Sequence, residues 1–589
     1  MKFVRVIVVC IVLAAAAQVS AFDGSKWNIS TGNMSLELIK ACPIGVEPKA
    51  GVKAPDISAE DARKSREAGL MTNEDYIAWA EVEAEQGKWD FSQHDKICSA
   101  FRAGGLHYVV YNWAHFPPMW LRNGTDRTLM RCVEHKQDTY YLSIFDPRTI
   151  GYYDHFYKAI HDHFADRIDS IYACILGPYG EGNYPIGFGG FVEFGHCHEG
   201  YWCQDPYAIA NLRDAMRVKY GRIGSLNKAW GVELTSFVQV LPPHEIAEGV
   251  KPSPEAFRTP QDRRRWLDFI TWYHQAMIDF AEKSINVVAR YYPLEKIRIK
   301  PGGNSEGANP ISWGTYCPGY AKMAAKYGIV LQPADFQGAY FGDKWVGTAY
   351  QFYGVTMSTE PWQSLEHPQF IRRMFSEASV GAGQLFVYQY WKHADDVRKY
   401  IHLYTGKQGN PDLAIYFPTT LYRLGGDAGA TVKAGSLMRD ITDFDVLDEL
   451  LIQDGALNGR YRTLLMFQGD CVEQAILDKI EAWVKRGGTL VVCGGKPVLN
   501  VDGEAWAVAS TAGRVVGFAS IPGDEQSASA LYEAFGGSST RDGKFDGVWT
   551  TRRGAESMLL NNTDAAVSCE PVAGRKVTIE PHSILSLSR

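Results

Sequence analysis

Two glutamates, Glu181 and Glu360, each come directly after an apolar run that is typical of a buried strand. Glu181 follows ILGPYG, and Glu360 follows VTMST. Hydrolysis of a glycosidic bond typically needs two carboxyl groups: one protonates the departing oxygen, and the other attacks the anomeric carbon or activates water. One such acid would carry little information, since exposed acids are common. The repeated position makes this pair the candidate catalytic carboxylates.

The elements that must position the two glutamates alternate between strands and helices from about residue 36 to residue 395. This rhythm predicts repeated βα units and a parallel sheet. Eight units in order favour a closed (β/α)₈ TIM barrel, whose active site lies at the carboxyl ends of the strands. An open doubly wound sheet is the alternative, but its Gly-rich phosphate motif is missing from the sequence. The predicted strands are MSLELIKAC, YIAWAEVEA, HYVVYNWA, SIYACILGPYGEG, KIRIKPGG, IVLQPADF, GVTMSTEPW and QLFVYQYW.

The chain of 589 residues is too long for one hydrophobic core, and its pattern of strand-like and helix-like segments changes after about residue 405. We predict a signal peptide over 1–21 and the α/β barrel over 22–405. A flavodoxin-like or amidotransferase-like α/β domain is predicted over 406–505, and a small β-sandwich over 506–589. The last region was assigned from Gly-rich turns and short strand-like pieces such as RVVGFAS and KVTIEP.

The N-terminal stretch has the pattern of a secretory signal. Lys2 and Arg5 precede an apolar run, and Val19-Ser20-Ala21 resembles a small-residue cleavage site. The run is short for a membrane span. We therefore expect a secreted or periplasmic protein with no membrane span after cleavage.

The amino-acid composition indicates which classes of molecule this protein binds. The formal net charge is −7 and no long basic run occurs, which argues against nucleic acid because phosphate binding needs clustered Lys and Arg. Aromatic residues make up 13% of the chain and suit either sugar stacking or large cores. We expect an oligo- or polysaccharide partner and no cofactor.

Longer motifs give a resemblance to a known family. The segment EVEAEQGKWDFSQHDKICSAFRAGGLHYVVYNWAHFPPMWL resembles the second and third βα units of clan-A glycoside hydrolases, and most closely those of glycoside hydrolase family 42, which are β-galactosidases. The segment DPYAIANLRDAMRVKYGRIGSLNKAWG is similar to the family region that follows its acid/base glutamate. The resemblance covers most of the chain and includes the second domain, which mediates trimers in that family, so a homo-oligomer is possible.

The resemblance implies a retaining mechanism, with Glu181 as acid/base and Glu360 as nucleophile. It also implies that Trp391, which ends the eighth predicted strand, is an aromatic platform under the sugar; on the sequence alone, packing at the barrel top is an equal alternative for this side chain. The clan usually has Asn directly before the acid/base, where this chain has Gly180; Asn183 follows instead. The segment GPYGEGNYP is also similar to β-amylases, which are inverting enzymes.

Further candidates for sugar contacts follow the predicted strands, although each is equally a cap or loop residue. They are Asn112, Trp113, His115, Asn183, Asn304 and Asp335. The segment HCHEGYWC offers four residue types that can bind Zn²⁺: His196, Cys197, His198 and Cys203. Some family 42 enzymes carry a Cys-rich metal site in this region with a different spacing. A Cys197–Cys203 disulfide is the other interpretation, and we predict no metal.

The function hypothesis is an exported glycosidase that cleaves β-glycosidic bonds, most similar to a β-galactosidase. Two alternatives stay open. One is a glycosidase of the same fold that acts on β-glucan, mannan, agar-type or α-glucan chains. The other is a carbohydrate-binding relative without catalysis, which the two barrel-mouth glutamates argue against.

Overall fold

A computed structural model describes most of the chain from residue 58 onward, together with one earlier strand. The described residues are 29–32, 58–67, 69–177, 180–186, 195–243, 252, 256–303, 311–335, 340–361, 365–388, 390–508, 513–536, 547–572 and 575–588. The signal peptide and the predicted first strand, MSLELIKAC, lie outside these residues. Within the described part, no helix combines the length and apolar character that a membrane span needs.

Residues 29–386 contain the barrel strands and one hairpin. In chain order they are β1 (Ile29–Gly32), β2 (Thr72–Ala78), β3 (His107–Trp113), β4 (Leu129–Arg131), β5 (Asp138–Leu142), β6 (Ser170–Tyr172), β7 (Ile297–Ile299), β8 (Val330–Leu331), β9 (Ala334–Asp335), β10 (Glu360–Pro361) and β11 (Leu385–Phe386).

The parallel sheet runs in the order β11-β1-β2-β3-β6-β7-β8. Its ring closes because Leu331 bridges Met357 in parallel, and the Gly383 amide donates to the Met357 carbonyl over 3.0 Å. β9 and β10 pair at the carboxyl end of this seam. The predicted α/β barrel is therefore the observed architecture, and Glu360 begins β10 at the mouth.

Helices separate the barrel strands. They are α1 (Ala59–Glu67), α2 (Trp79–Val82), α3 (Ser92–Ala103), α4 (Met119–Arg122), α5 (Thr149–Phe164), α6 (Pro206–Tyr220), α7 (Ile223–Trp230), α8 (Pro260–Val288), α9 (Cys317–Ala324), α10 (Tyr340–Tyr353), α11 (His367–Ser379) and α12 (Ala394–Tyr400). α8 starts where Thr259 and Asp262 form a reciprocal capping box, with Pro260 at the first helical position.

One predicted strand was placed too far along the chain. YIAWAEVEA was assigned to the second strand, but β2 begins at Thr72 and the chain turns into α2 at Trp79. Trp79 and Val82 are both buried at a spacing of three residues, which fits one turn of helix and not a strand.

After residue 405 a second parallel sheet forms. Its order, β13-β12-β14-β15-β18, is the 2-1-3-4-5 order of flavodoxin-like sheets. The elements are β12 (Leu413–Tyr416), α13 (Thr419–Arg423), α14 (Gly429–Ile441), β13 (Asp445–Leu447), α15 (Glu449–Gln453), β14 (Thr463–Met466), α16 (Gln474–Lys485), β15 (Thr489–Cys493), β16 (Val498–Leu499), β17 (Ala505–Trp506), β18 (Arg514–Phe518) and α17 (Glu525–Ala534).

The predicted start of the tail at residue 506 needs a correction. RVVGFAS was grouped with the β-rich tail, yet β18 pairs in parallel with β15 from Arg514 to Phe518. β18 is the edge strand of this sheet and is largely exposed, and its five residues carry no pattern that distinguishes it from the short strands of the tail.

The chain ends in two small antiparallel sheets. β19 (Val548–Arg553), β20 (Glu556–Asn561) and β23 (Ser583–Ser588) form one sheet, and β21 (Val567–Val572) pairs with β22 (Arg575–Ile579) in the other. A separate hydrophobic cluster joins them: Val548, Leu559, Ile579 and Leu587.

Candidate active site

The two candidate glutamates are positioned by different backbone devices. Glu181 lies in a turn that folds back on the strand before it, because the Ile175 and Leu176 amides donate to the Gly180 and Glu181 carbonyls over 2.9 Å. Glu360 lies in a strand, and its own amide donates to the Pro333 carbonyl over 2.9 Å. Both backbones are therefore anchored to the barrel wall.

The Glu360 carboxylate has two strong partners. The ammonium Nζ of Lys300 lies 2.7 Å from its Oε2, and the Tyr388 hydroxyl donates to its Oε1. Lys300 comes from the end of β7 and is 1% exposed, whereas Glu360 is 8% exposed. A cation and a hydroxyl that both bind the carboxylate fix its position and replace part of its lost hydration, as a nucleophile or base in a buried site needs.

Glu181 has the opposite environment. Burial and then the negative charge of Glu360 raise the pKa of Glu181 to about 8, and Lys300 and Asn183 offset only part of the rise. The Asn183 amide nitrogen lies 3.3 Å from Glu181 Oε2. A carboxyl group with such a pKa keeps its proton at neutral pH, as a general acid must.

The two carboxyl groups converge on one region. The charge of Glu360 acts on Glu181, and both glutamates raise the pKa of Tyr111, after burial as the largest cause. Both also raise the pKa of the buried Tyr388 hydroxyl. The barrel therefore brings the predicted pair together at its mouth.

The glycine that replaces the clan's Asn has a structural reason. Gly180 has φ +73°, and a Cβ atom there would lie 3.0 Å from Nδ1 of His115 and 3.1 Å from the Cys174 sulfur. A side chain at this position is therefore strained and crowded. Asn183, two residues after Glu181, contributes the amide that contacts the carboxyl group.

Three other predicted sugar contacts are buried residues at or just after the end of β3. Asn112 is fully buried, and its amide donates to the Tyr172 carbonyl over 2.6 Å, between two strands. Trp113 is buried against the rings of Tyr76 and Tyr111. His115 lies behind Gly180. All three side chains are buried, and their assignment as sugar contacts stays a prediction.

Three predicted residues fall where the structure gives no side-chain description. Asn304 lies outside the described residues. Asp335 and Trp391 are described only as backbone, in β9 and in a short 3₁₀ turn. Their assignment to the sugar pocket stays a prediction.

Sequence reasoning missed Lys300, Tyr388 and Glu74, which form the floor of the site. A signal was present in KIRIKPGG, where Arg298 and Lys300 alternate with isoleucines. In a barrel strand this alternation places charged residues at inward positions, where they need partners.

A second cluster of reactive side chains lies beside the site, in the β4–β5 hairpin and the loop after Glu181. The four ligand atoms of Cys132, His135, His196 and His198 all lie within 4.8 Å of one another. The prediction had chosen His196 and His198 correctly as neighbours but paired them with the wrong cysteines. Cys203 is buried elsewhere, and Cys197 Sγ lies 3.5 Å from the Thr139 hydroxyl. Neither cysteine forms a disulfide in this structure, so the alternative of a Cys197–Cys203 disulfide is also wrong.

This donor set fits a tetrahedral Zn²⁺ ion. His135 Nδ1 lies 3.1 Å from His196 Nε2 and 3.3 Å from His198 Nε2, and Cys132 Sγ lies 3.3 Å from His196 Nε2. Zn–N and Zn–S bonds of about 2.0–2.3 Å imply ligand separations of roughly 3.3–3.7 Å. Four protein donors would close the coordination shell, so a bound ion would be structural and would tie the hairpin to the loop.

Comparisons with known proteins agree with this geometry. The family model described as β-galactosidase, glycoside hydrolase family 42, matches residues 52–317. A thermophilic β-amylase from Thermoanaerobacterium thermosulfurigenes is 26% identical over 229 residues, which cover 36% of this chain and 39% of that protein. A β-galactosidase from Thermus thermophilus is 30% identical over 202 residues, which cover 33% of this chain and 29% of that protein. The chain thus spans less than half the length of these curated relatives.

A solved structure extends the likeness in fold. The cold-adapted β-galactosidase from Rahnella sp. R3 matches with a TM-score of 0.68 at 14% identity, over 96% of this chain and 98% of that one. At this identity the match concerns the fold alone, and it confirms the α/β barrel class. The match to the family model confirms the predicted resemblance to glycoside hydrolase family 42.

Proposed function

Starting from the confirmed resemblance to glycoside hydrolase family 42, we propose that this chain is a retaining glycosidase that cleaves β-glycosidic bonds, with a β-galactoside as the preferred substrate. Glu181 protonates the departing oxygen, and Glu360 attacks the anomeric carbon to form a glycosyl-enzyme intermediate. Glu181, then ionised, activates water to hydrolyse that intermediate.

One observation carries the proposal: two carboxyl groups at the same barrel mouth have environments of opposite kind. The environment of Glu181 favours its protonated form, and Lys300 and Tyr388 bind the Glu360 carboxylate. Acid and nucleophile roles require this division.

A panel of nitrophenyl glycosides tests the substrate. We expect the highest kcat/KM on the β-galactoside, with loss of that activity in Glu360→Gln. The matched control is Glu295→Gln, an exposed acid beside β7 that should keep wild-type rates. Turnover of every β-glycoside at the level of buffer, by a folded protein, would refute the β-glycosidase assignment.

A second candidate is an inverting α-glucan hydrolase. The observation that favours it is the segment GPYGEGNYP around Glu181, together with the match to a β-amylase. Proton NMR of the first-formed product from each substrate distinguishes the two. A product that keeps the β configuration supports the retaining glycosidase, whereas maltodextrin turnover with inversion supports the second candidate.

We also propose that residues 1–21 are removed on export, because a basic start, an apolar run and a small-residue site follow in order. Expression in a secreting host and N-terminal sequencing test this point. A mature chain that starts at Phe22 is expected, and an uncleaved chain retained in the cytoplasm would contradict it.

A further inference from the structure

Lys300 is a buried ammonium beneath the Glu360 carboxylate. Its Nζ lies 2.7 Å from Glu360 Oε2 and 3.1 Å from Glu74 Oε2, and it is 1% exposed. Its Nζ also lies 4.1 Å from the centroid of the Tyr111 ring and 5.0 Å from that of Tyr172. Aromatic faces attract a desolvated cation, so the ammonium is held from several sides.

The second carboxyl group, Glu74, is fully buried and belongs to β2. Its Oε2 accepts from Lys300 and, over 3.3 Å, from the Tyr76 hydroxyl. Its Oε1 contacts the Tyr172 hydroxyl, which also contacts Oε1 of Gln332.

A hydroxyl group has one proton and donates to one acceptor at a time, so the Tyr172 hydroxyl donates either to Glu74 or to Gln332 and accepts from the other. Burial raises the pKa of Glu74, and the charge of Lys300 offsets only part of this rise.

The raised pKa of Glu74 and of Glu181 favours their neutral forms, and Glu360 is the nearer partner of the ammonium, at 2.7 Å against 3.1 Å for Glu74. The other charged group near this floor is Arg298, whose charge reaches Glu74. The tyrosines around it are neutral at working pH because burial raises the pKa of Tyr111, Tyr172 and Tyr388 well above the usual value.

We propose that Lys300 is a positioning residue that fixes the ionised Glu360 carboxylate at the barrel mouth and is itself held from below by Glu74. It lies under the carboxylate and acts on the reaction through Glu360. The inference rests on the proposed function, because it assigns Lys300 a task in that same reaction.

Lys300→Met tests the charge. We expect kcat to fall about 10²-fold, since a misplaced reacting group costs that much, while KM changes by less than threefold. Both limbs of the pH–rate profile should move to higher pH by about one unit, because a nearby cation favours the ionised form of each carboxyl group. Lys300→Arg keeps the charge and should return the limbs toward their wild-type positions.

The control is Lys326→Met, an exposed lysine paired with Glu282 on the outside of the barrel. It should leave kcat and both limbs in place. If Lys300→Met does not fold, Lys300→Gln, which keeps a hydrogen-bond donor without the charge, is measured in its place with the same expected shift.

The outcomes separate this inference from the proposed function. Lys300 variants that lower the folded fraction but leave both limbs of the active fraction unmoved would assign Lys300 a merely structural role. Wild-type turnover in Glu360→Gln would refute the proposed function itself. A dead Glu360→Gln protein beside a Lys300→Met protein with wild-type kcat would refute the inference alone.

Discussion

Glu181 and Glu360 are both glutamates at the barrel mouth, yet the residues that surround them differ. On the β10 side, a lysine and a tyrosine bind the Glu360 carboxylate directly. On the β6 side, Glu181 has burial, a neighbouring negative charge and one amide contact at 3.3 Å. In the proposed mechanism these surroundings, and not the residue type, divide the chemical roles between the two glutamates.

The two sides also differ in what they cost the fold. A carboxylate that has a cation and a hydroxyl partner is compensated in the interior, whereas a carboxyl group in a site that raises its pKa opposes folding once it must ionise. Similar responses of the two glutamates to substitution, pH or heat would contradict the claim that their environments differ.

The largest effect is expected for Glu360→Gln. The amide cannot attack the anomeric carbon, so kcat should fall on the order of 10⁴-fold or more. Initial rates on the best aryl glycoside measure this effect. A loss of less than tenfold in a folded variant would remove Glu360 from the reaction.

The next effect is for Glu181→Gln, which removes the acid. We expect a 10²- to 10⁴-fold loss with a poor leaving group and a much smaller loss with a dinitrophenyl leaving group, which needs no proton. The wild-type rate should fall as pH rises through about 8, where Glu181 loses its proton. A pH–rate profile of the variant that keeps this limb would contradict the assignment.

Tyr388→Phe tests the hydroxyl that serves Glu360 alone. Loss of a hydrogen bond to a charged group costs about 1.5–3 kcal/mol, so kcat should fall roughly 10- to 100-fold. The matched control is Tyr207→Phe, in the first turn of helix α6. Equal rates in the two variants would show that Tyr388 does not support the carboxylate.

The sequence predicted the pair and the fold better than it predicted the floor of the site. Glu181 and Glu360 follow apolar runs, and that local pattern identifies strand ends without knowledge of the partners. Lys300 and Glu74 are 226 residues apart. Their contact depends on barrel closure, which no local pattern specifies.

The metal cluster shows the same limit. His196 and His198 are close in sequence and were found, but their partners Cys132 and His135 belong to a hairpin some 60 residues earlier, which the Thr139–Gly195 bridge brings alongside. The sequence pointed to Cys197 and Cys203 because they lie in the same short segment as the two histidines.

Thermal stability compares the environments of Glu181 and Glu360 without a measurement of catalysis. The folded-state pKa of Glu181 is about 8 against 4.5 for an ordinary glutamate, so its destabilising effect is absent below about pH 4.5, grows as pH rises, and is complete above about pH 8. Glu181→Gln should therefore raise Tm by a few degrees at pH 9 and by nothing at pH 4. Glu360→Gln should lower Tm at pH 7, because it removes the ionised partner of Lys300. Calorimetry at three pH values measures both, and shifts of the same sign at pH 9 would break the comparison.

The smallest effect on catalysis is expected from metal removal. If Cys132, His135, His196 and His198 hold Zn²⁺ in a closed shell, a chelator should lower Tm by several degrees, because the ion stabilises only the folded state. The rate at 25 °C should change by less than about twofold, since a structural ion has no open position for substrate. Both limbs of the pH–rate profile should stay in place, because the ion touches neither carboxyl group.

Metal analysis of the purified protein and of His196→Ala supplies the control. A His196→Ala protein that binds one equivalent of zinc and has a wild-type Tm would show that the cluster does not stabilise the fold. A shift of the basic limb after chelation would show that the ion affects Glu181.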